Sequence, residues 1–147
     1  MRDFEQLSHT ADIQLRVFGT TMAELFCHAL VGMFQSIKPQ ASGCVVVDER
    51  LVCPVLPVKR TVALCAGDRE QLLVDFLSEA LYLSDVHNEA YLDAHIEELS
   101  QTHIRATLQG IPITGFAVVE IKAVTYHDLY VRQLPDSSWQ AEIVFDI

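Results

Sequence analysis

The chain has 147 residues, half of them apolar and a fifth charged, with a formal net charge of −10. This describes a folded chain with one core, expected to be a single domain over residues 1–147, and excludes a disordered one. The acidic balance disfavours direct tight binding to a phosphate backbone by this chain alone, and makes cations or a basic protein the natural partners.

The opening segment, MRDFEQLSHT, lacks the apolar run of a secretory signal, and no stretch is long enough to span a bilayer. A cytoplasmic, non-membrane protein is expected. Residues 3–8 and 13–18 alternate in polarity and read as strands, separated by the polar SHTADI. Thr21 and Glu24 stand three apart, as in a capping box, and Met22, Leu25, Phe26, Ala29, Leu30, Met33 and Phe34 recur at helical spacing to about residue 36. Residues 43–66 are valine-rich and broken by Pro54 and Pro57, which predicts two strands joined by an irregular segment. Asp68 and Gln71 cap a second helix whose buried stripe is Leu72, Leu73, Phe76, Leu77, Ala80 and Leu81, ending near Asp85. Strands follow at about 90–98, 102–109, 116–124, 128–134 and 139–145, with Pro135-Asp136-Ser137-Ser138 turning the last hairpin. Two helices packed on a largely antiparallel sheet make an α+β fold.

Cys27, Cys44, Cys53 and Cys65 form no C-x-x-C pair, so a zinc knuckle or thioredoxin-like motif is not indicated. Their apolar surroundings read as four buried, inert thiols in a reducing compartment.

Three polar clusters are not explained by packing. In His9-Thr10-Ala11-Asp12, the Asp12 carboxylate sits at the edge of a strand, either as a turn or cap or as a ligand. A lone His9 more often makes a surface hydrogen bond than holds a ligand. In the 120–127 segment, a regular strand puts Glu120, Lys122, Val124 and Tyr126 on one face, followed by His127. Glu120 and Lys122 are then either an exposed ion pair or part of a carboxylate-rich site. At the end of the chain, apolar residues persist, so a docked terminal strand brings together the Asp146 side chain and the α-carboxylate of Ile147. Two adjacent anions need compensation from a hard divalent ion (Ca²⁺, Mg²⁺ or Mn²⁺), from Lys122 or from solvent.

Taken together, SHTADI at 8–13, the 121–127 run IKAVTYH, the 72–83 helix segment and the closing Asp146-Ile147 resemble the archease family over essentially the whole chain. The resemblance implies an α+β fold around a strand-helix-strand-strand module. It also implies a metal site for a divalent cation (Ca or Mn/Mg) made by Asp12, Asp146 and the carboxylate of Ile147. His9, Glu120, Lys122, Tyr126 and His127 then fall to supporting the site or contacting a partner. It implies an accessory protein, without catalysis or a nucleotide site of its own, for an RtcB-type RNA ligase. Such a protein speeds the ligase's metal- and GTP-dependent guanylylation and supports multiple turnover in tRNA splicing and RNA repair. One departure is plain: the family often carries a longer polar segment with a histidine before its second motif. Here Gln109-Gly110-Ile111-Pro112-Ile113-Thr114-Gly115-Phe116 is shorter and apolar.

The main rival is a general chaperone or protein-interaction module, which predicts an exposed apolar patch and leaves the 43–58 region as its candidate location. A metal-dependent hydrolase would lack the nucleophile–base pair and phosphate-gripping loop its chemistry needs. A stand-alone RNA binder is opposed by the charge.

Overall fold

A computed structural model of the chain describes residues 3–7 and 12–147. In chain order the elements are β1 (Phe4–Leu7), β2 (Asp12–Gly19), α1 (Met22–Ser36), β3 (Pro39–Gln40), β4 (Val45–Val47), β5 (Arg50–Val52), β6 (Val58–Cys65), α2 (Arg69–His87), β7 (Glu89–Leu99), β8 (His103–Pro112), β9 (Gly115–Phe116), β10 (Ala123–Gln133) and β11 (Trp139–Asp146). Among the described residues no helix is long and apolar enough to cross a membrane.

Two antiparallel sheets carry the fold: β1-β2-β11-β10 and β6-β8-β7. The second, with α2 crossing from β6 to β7, is the strand-helix-strand-strand unit. Both sheets bury one face. In β2 the alternation of Ile13, Leu15 and Val17 with Asp12, Gln14 and Arg16 turns the aliphatic set inward. Ala141, Ile143 and Phe145 do the same in β11, and Ile104, Ala106 and Leu108 in β8. The α1 stripe of Leu25, Phe26, Ala29, Leu30, Met33 and Phe34 fills the space between them, with Leu72, Leu73, Phe76, Leu77 and Ala80 of α2. The ring centroids of Phe26 and Phe76 are 5.9 Å apart, and Phe34 meets Tyr91 edge-on at 5.5 Å. The α+β class and both helices are therefore as the periodicity predicts. The second helix runs two residues past Asp85, ended by Asn88 in the left-handed conformation.

Both N-caps depart from the reciprocal box in the same way. Thr21 and Asp68 accept from the backbone N–H of Glu24 and Gln71, as expected. The returning side chains, however, reach one residue further back: Glu24 accepts from Thr20 N–H at 3.3 Å, and Gln71 accepts from Gly67 N–H at 3.2 Å. Thr20 also donates its hydroxyl to Glu24 at 2.8 Å, which holds that carboxyl below its usual range.

Three expectations are corrected. Residues 43–66 hold three strands, not two, because Asp48 and Glu49 take positive φ (50° and 65°) and turn β4 back on β5 without a glycine. Residues 116–124 are not a strand. Beyond β9 the Ala117 and Val118 N–H groups donate to Lys38 and Ile37 carbonyls at the end of α1, so pairing in the large sheet begins only at Ala123. The cysteines are not four buried thiols. The β4–β5 register sets Cys44 and Cys53 beside the Val45–Val52 rung, with their Cα atoms 4.4 Å apart, and they form a disulfide. Cys65 is exposed, and only Cys27 is a largely sequestered thiol.

Candidate functional site

The sequence separates Asp12 from Asp146 by most of the chain, and the β2–β11 ladder reunites them. Asp12 opens β2, Asp146 closes β11, and the two are direct partners at the last rung of the pairing. Directly opposed residues project from the same face with Cβ atoms about 5 Å apart. That face is the outer one, since Ile13 and Phe145, each one residue inward, are buried in the core. Ile147 follows immediately, its side chain packed against the core, so it is docked beside Asp146.

Asp146 lies on the central strand of three. On its other side Ala123 is its rung partner, and the Lys122 N–H donates to the Asp146 carbonyl at 2.7 Å. Lys122 is thus attached to the site through the backbone. Glu120 and Lys122 also line a cleft of about 600 Å³, shared with Tyr82, Asp85 and Asn88 at the end of α2. Ser84, Asn88 and Ile113, which also line the cleft, are joined to a partly buried network at Glu89. Glu89 accepts from Arg60 at 3.0 and 2.8 Å and from the Tyr91 hydroxyl at 2.8 Å. Ser84 Oγ donates to the Glu89 carbonyl at 2.5 Å, and Ile113 N–H to the Asn88 carbonyl at 2.9 Å. The Arg60 hydrogen bonds hold the Glu89 carboxyl below the usual range, while burial and its bond to Glu89 push the Tyr91 phenol up.

Tyr126 and His127 are not gathered at the aspartate pair. Between the Thr125–Val144 and Tyr130–Glu142 rungs, β10 bulges by residues 126–129. Tyr126 therefore begins the bulge roughly 10 Å along the strand from the Ala123–Asp146 rung. His127 Nε2 is 3.1 Å from Asp128 Oδ2, with both side chains exposed. The expected common face of Glu120, Lys122, Val124 and Tyr126 fails for the same reasons: residues 120–122 are outside the ladder, and Val124 is buried. His9 lies outside the described residues.

A second polar group on the outer face was not anticipated. Glu142 accepts from Gln14 at 3.1 Å and from the Tyr130 hydroxyl at 2.5 Å, and Gln140 donates to that same hydroxyl at 2.6 Å. Burial and the bond to Glu142 push the Tyr130 phenol up. Gln14 is two residues from Asp12 on the same face, so this network stiffens the strands that present the aspartate pair. Its sequence signal was the polar residues 12, 14 and 16 of β2 and 140, 142 and 146 of β11, which share one face only once the Asp12–Asp146 and Arg16–Glu142 rungs pair the strands.

Comparison with known proteins adds a relationship to this geometry. The profile of the Archease protein family (MTH1598/TM1083) matches residues 4–147. "Protein archease" of Methanosarcina acetivorans is 35% identical over 153 residues, covering 99% of this chain and 97% of the relative. "Protein archease" of Pyrococcus furiosus is 32% identical over 154 residues, covering all of both chains. The solution structure of Methanobacterium thermoautotrophicum protein 1598 aligns over the whole of both chains with a TM-score of 0.72 at 25% identity. The crystal structure of a Thermotoga maritima protein, described as an archease and possible chaperone, shares the fold with a TM-score of 0.61 at 21% identity.

Proposed function

We infer function from the premise that this chain belongs to the archease family. The reading is that it is an accessory protein of an RtcB-type RNA ligase, promoting metal- and GTP-dependent guanylylation and multiple turnover in tRNA splicing and RNA repair. The observation that carries it is the Asp12–Asp146 rung, which sets two opposed carboxylates at the end of the β2–β11 ladder beside Ile147, whose α-carboxylate would be a third.

The donors suit a hard cation: all are carboxylate oxygens, the ligand class that Ca²⁺, Mg²⁺ and Mn²⁺ prefer. Among the described residues no group of three or more His, Cys, Asp and Glu side chains is arranged for a metal. The Ile147 α-carboxylate is therefore an essential part of this reading. A bound divalent ion would supply positive charge at a surface that otherwise repels nucleotide phosphates. The chain's own contribution is positioning. The ladder holds Asp12 and Asp146 in register, the Lys122 amide ties β10 to Asp146, and the cleft bearing Glu120 and Lys122 offers charged groups to the ligase. Phosphoryl and nucleotidyl transfer respond strongly to such placement of charge.

The test is direct. Guanylylation of the cognate ligase is timed with GTP and Mn²⁺, with and without the chain, and then with Asp12→Asn. Acceleration by the native chain that the variant lacks supports the reading; an unchanged rate with the native chain overturns it.

One observation favours a second reading as a protein-interaction module or chaperone. The β4–β5 ribbon exposes Val45, Val46, Val47 and Val52, and Val55 follows, with Val46 and Val55 at 70% and 71% exposure. An apolar patch of this kind is what a protein-binding surface requires. On this reading Val46→Asp, and not Asp12→Asn, abolishes suppression of aggregation of an unfolded client.

A further inference from the structure

The outward face of the β6-β8-β7 sheet gathers a thiol, an imidazole and a carboxylate from three neighbouring strands. Cys65 closes β6, is exposed, and is the rung partner of His103, the first residue of β8. Cys65 Sγ lies 3.6 Å from His103 Nδ1, and His103 Nε2 lies 3.0 Å from Glu98 Oε2 on β7. An ionised carboxylate only accepts, so Nε2 carries the proton toward Glu98; in the neutral ring Nδ1 is then an acceptor facing the thiol. A nucleophile, a base and a group orienting that base stand in the order that activates a thiol. The strand ends carrying them are tied together: Ala66 N–H donates to the Thr102 carbonyl at 2.9 Å and Ser100 N–H to the His103 carbonyl at 2.8 Å. Arg105, exposed and the rung partner of Glu98, places a positive charge on the same face.

Cys27, the other free thiol, has the opposite setting. It is hemmed by the Asp93 carboxylate at 3.5 Å and the Ala94 carbonyl at 3.6 Å, and burial with Asp93 nearby pushes it up to about 12. The fold thus separates one accessible thiol next to a base from one sequestered next to an anion.

We propose that Cys65 is a thiol-modification site that captures an anionic low-molecular-weight disulfide such as glutathione disulfide, with His103 as its base and Glu98 as a positioning residue. His103 Nδ1 takes the Cys65 proton, and Sγ attacks one sulfur of the disulfide. The new S–S bond forms as the old one breaks, and the departing thiolate takes the proton back from the imidazolium as free thiol. One thiol and one disulfide go in and one mixed disulfide and one thiol come out, so no further oxidant is needed. The site is independent of the carboxylate pair. It sits at the His103 end of β8, whereas the cleft bearing Lys122 begins past the Pro112 end, about 30 Å along the strand.

The experiment incubates the full chain, its Cys44–Cys53 bond intact, with glutathione disulfide and follows adducts by intact mass and peptide mapping. One glutathionyl group is expected on Cys65, forming at least tenfold faster than any adduct on Cys27, and absent in Cys65→Ser. His103→Gln slows the reaction about tenfold at pH 7, and the gap closes toward pH 10, where solvent deprotonates a thiol without help. Glu98→Gln, which leaves the base in place, falls between the two. The proposal is overturned if His103→Gln and the native chain react equally at pH 7, if their gap is the same at every pH, or if Cys27 is modified first.

Discussion

Glu89→Gln gives a measurable test of what the Arg60–Glu89–Tyr91 network contributes to stability. Glu89 is the one buried carboxylate among the described residues, and its two oxygens are used differently. Oε1 accepts from the Tyr91 hydroxyl and from Arg60 Nε, while Oε2 accepts from Arg60 Nη2. A glutamine keeps Oε1 where it serves the buried phenol, but puts an NH₂ donor against the Nη2 donor. The loss is one charge-assisted hydrogen bond, about 1.5–3 kcal/mol. Arg60 is 34% exposed and regains water, which places the expected cost near the low end, about 2 kcal/mol. For a chain of this size that is a melting point lowered by roughly 4–8 °C, read by differential scanning calorimetry. Because the folded Glu89 carboxyl titrates lower than an unfolded one, the stabilisation is complete above the ordinary glutamate value of about 4.3. It is lost as pH falls through the folded value, so the gap between native and variant chains should shrink toward pH 3. A variant within about 0.5 kcal/mol of the native chain at pH 7, or a gap unchanged down to pH 3, refutes this account.

Two further outcomes follow from the backbone. Opening the Cys44–Cys53 bridge, which closes a separation of nine residues, removes up to about 2.5 kcal/mol on the chain-entropy model. Amide exchange in β4 and β5 should accelerate in Cys44→Ser/Cys53→Ser, and unaltered exchange would contradict a stapled hairpin. Asn88 caps α2 with φ of 55°, so Asn88→Val should cost 1 kcal/mol or more, on the order expected for a β-branched residue at positive φ. Asn88→Gly should be neutral or slightly stabilising, and chemical denaturation distinguishes the two.

Helix α1, helix α2 and strands β2, β7, β8 and β11 were legible because each carries its own periodicity. Leu72, Leu73, Phe76 and Leu77 needed no partner to be recognised as a buried stripe. What failed depended on contacts distant in sequence or on unmarked turns. Asp48-Glu49 turns β4 into β5 with two non-glycine residues at positive φ, so neither the hairpin nor its disulfide had a local signature. The 117–122 segment has strand-like composition, yet its first hydrogen bonds go to Ile37 and Lys38. In the candidate site, Asp12 and Asp146 were legible as polar interruptions at strand ends, and the ladder supplied their adjacency. Lys122 joined them through its backbone, which no side-chain pattern encodes. The β10 bulge displaced Tyr126 and His127, since a bulge is set by cross-strand register and leaves little trace in one strand.

The claim at the centre of this account is that Asp12, Asp146 and the Ile147 carboxylate hold one divalent ion. The most direct measurement is thermal unfolding of the native chain, Asp12→Ala and a chain lacking Ile147, each titrated with Ca²⁺ and with Mn²⁺. At an ion concentration one hundred times the dissociation constant the folded state gains about 2.7 kcal/mol. The native melting point should therefore rise by roughly 5–10 °C, and both variants should fold but show no rise. A native chain indifferent to both ions, or an equal rise in all three proteins, would contradict it.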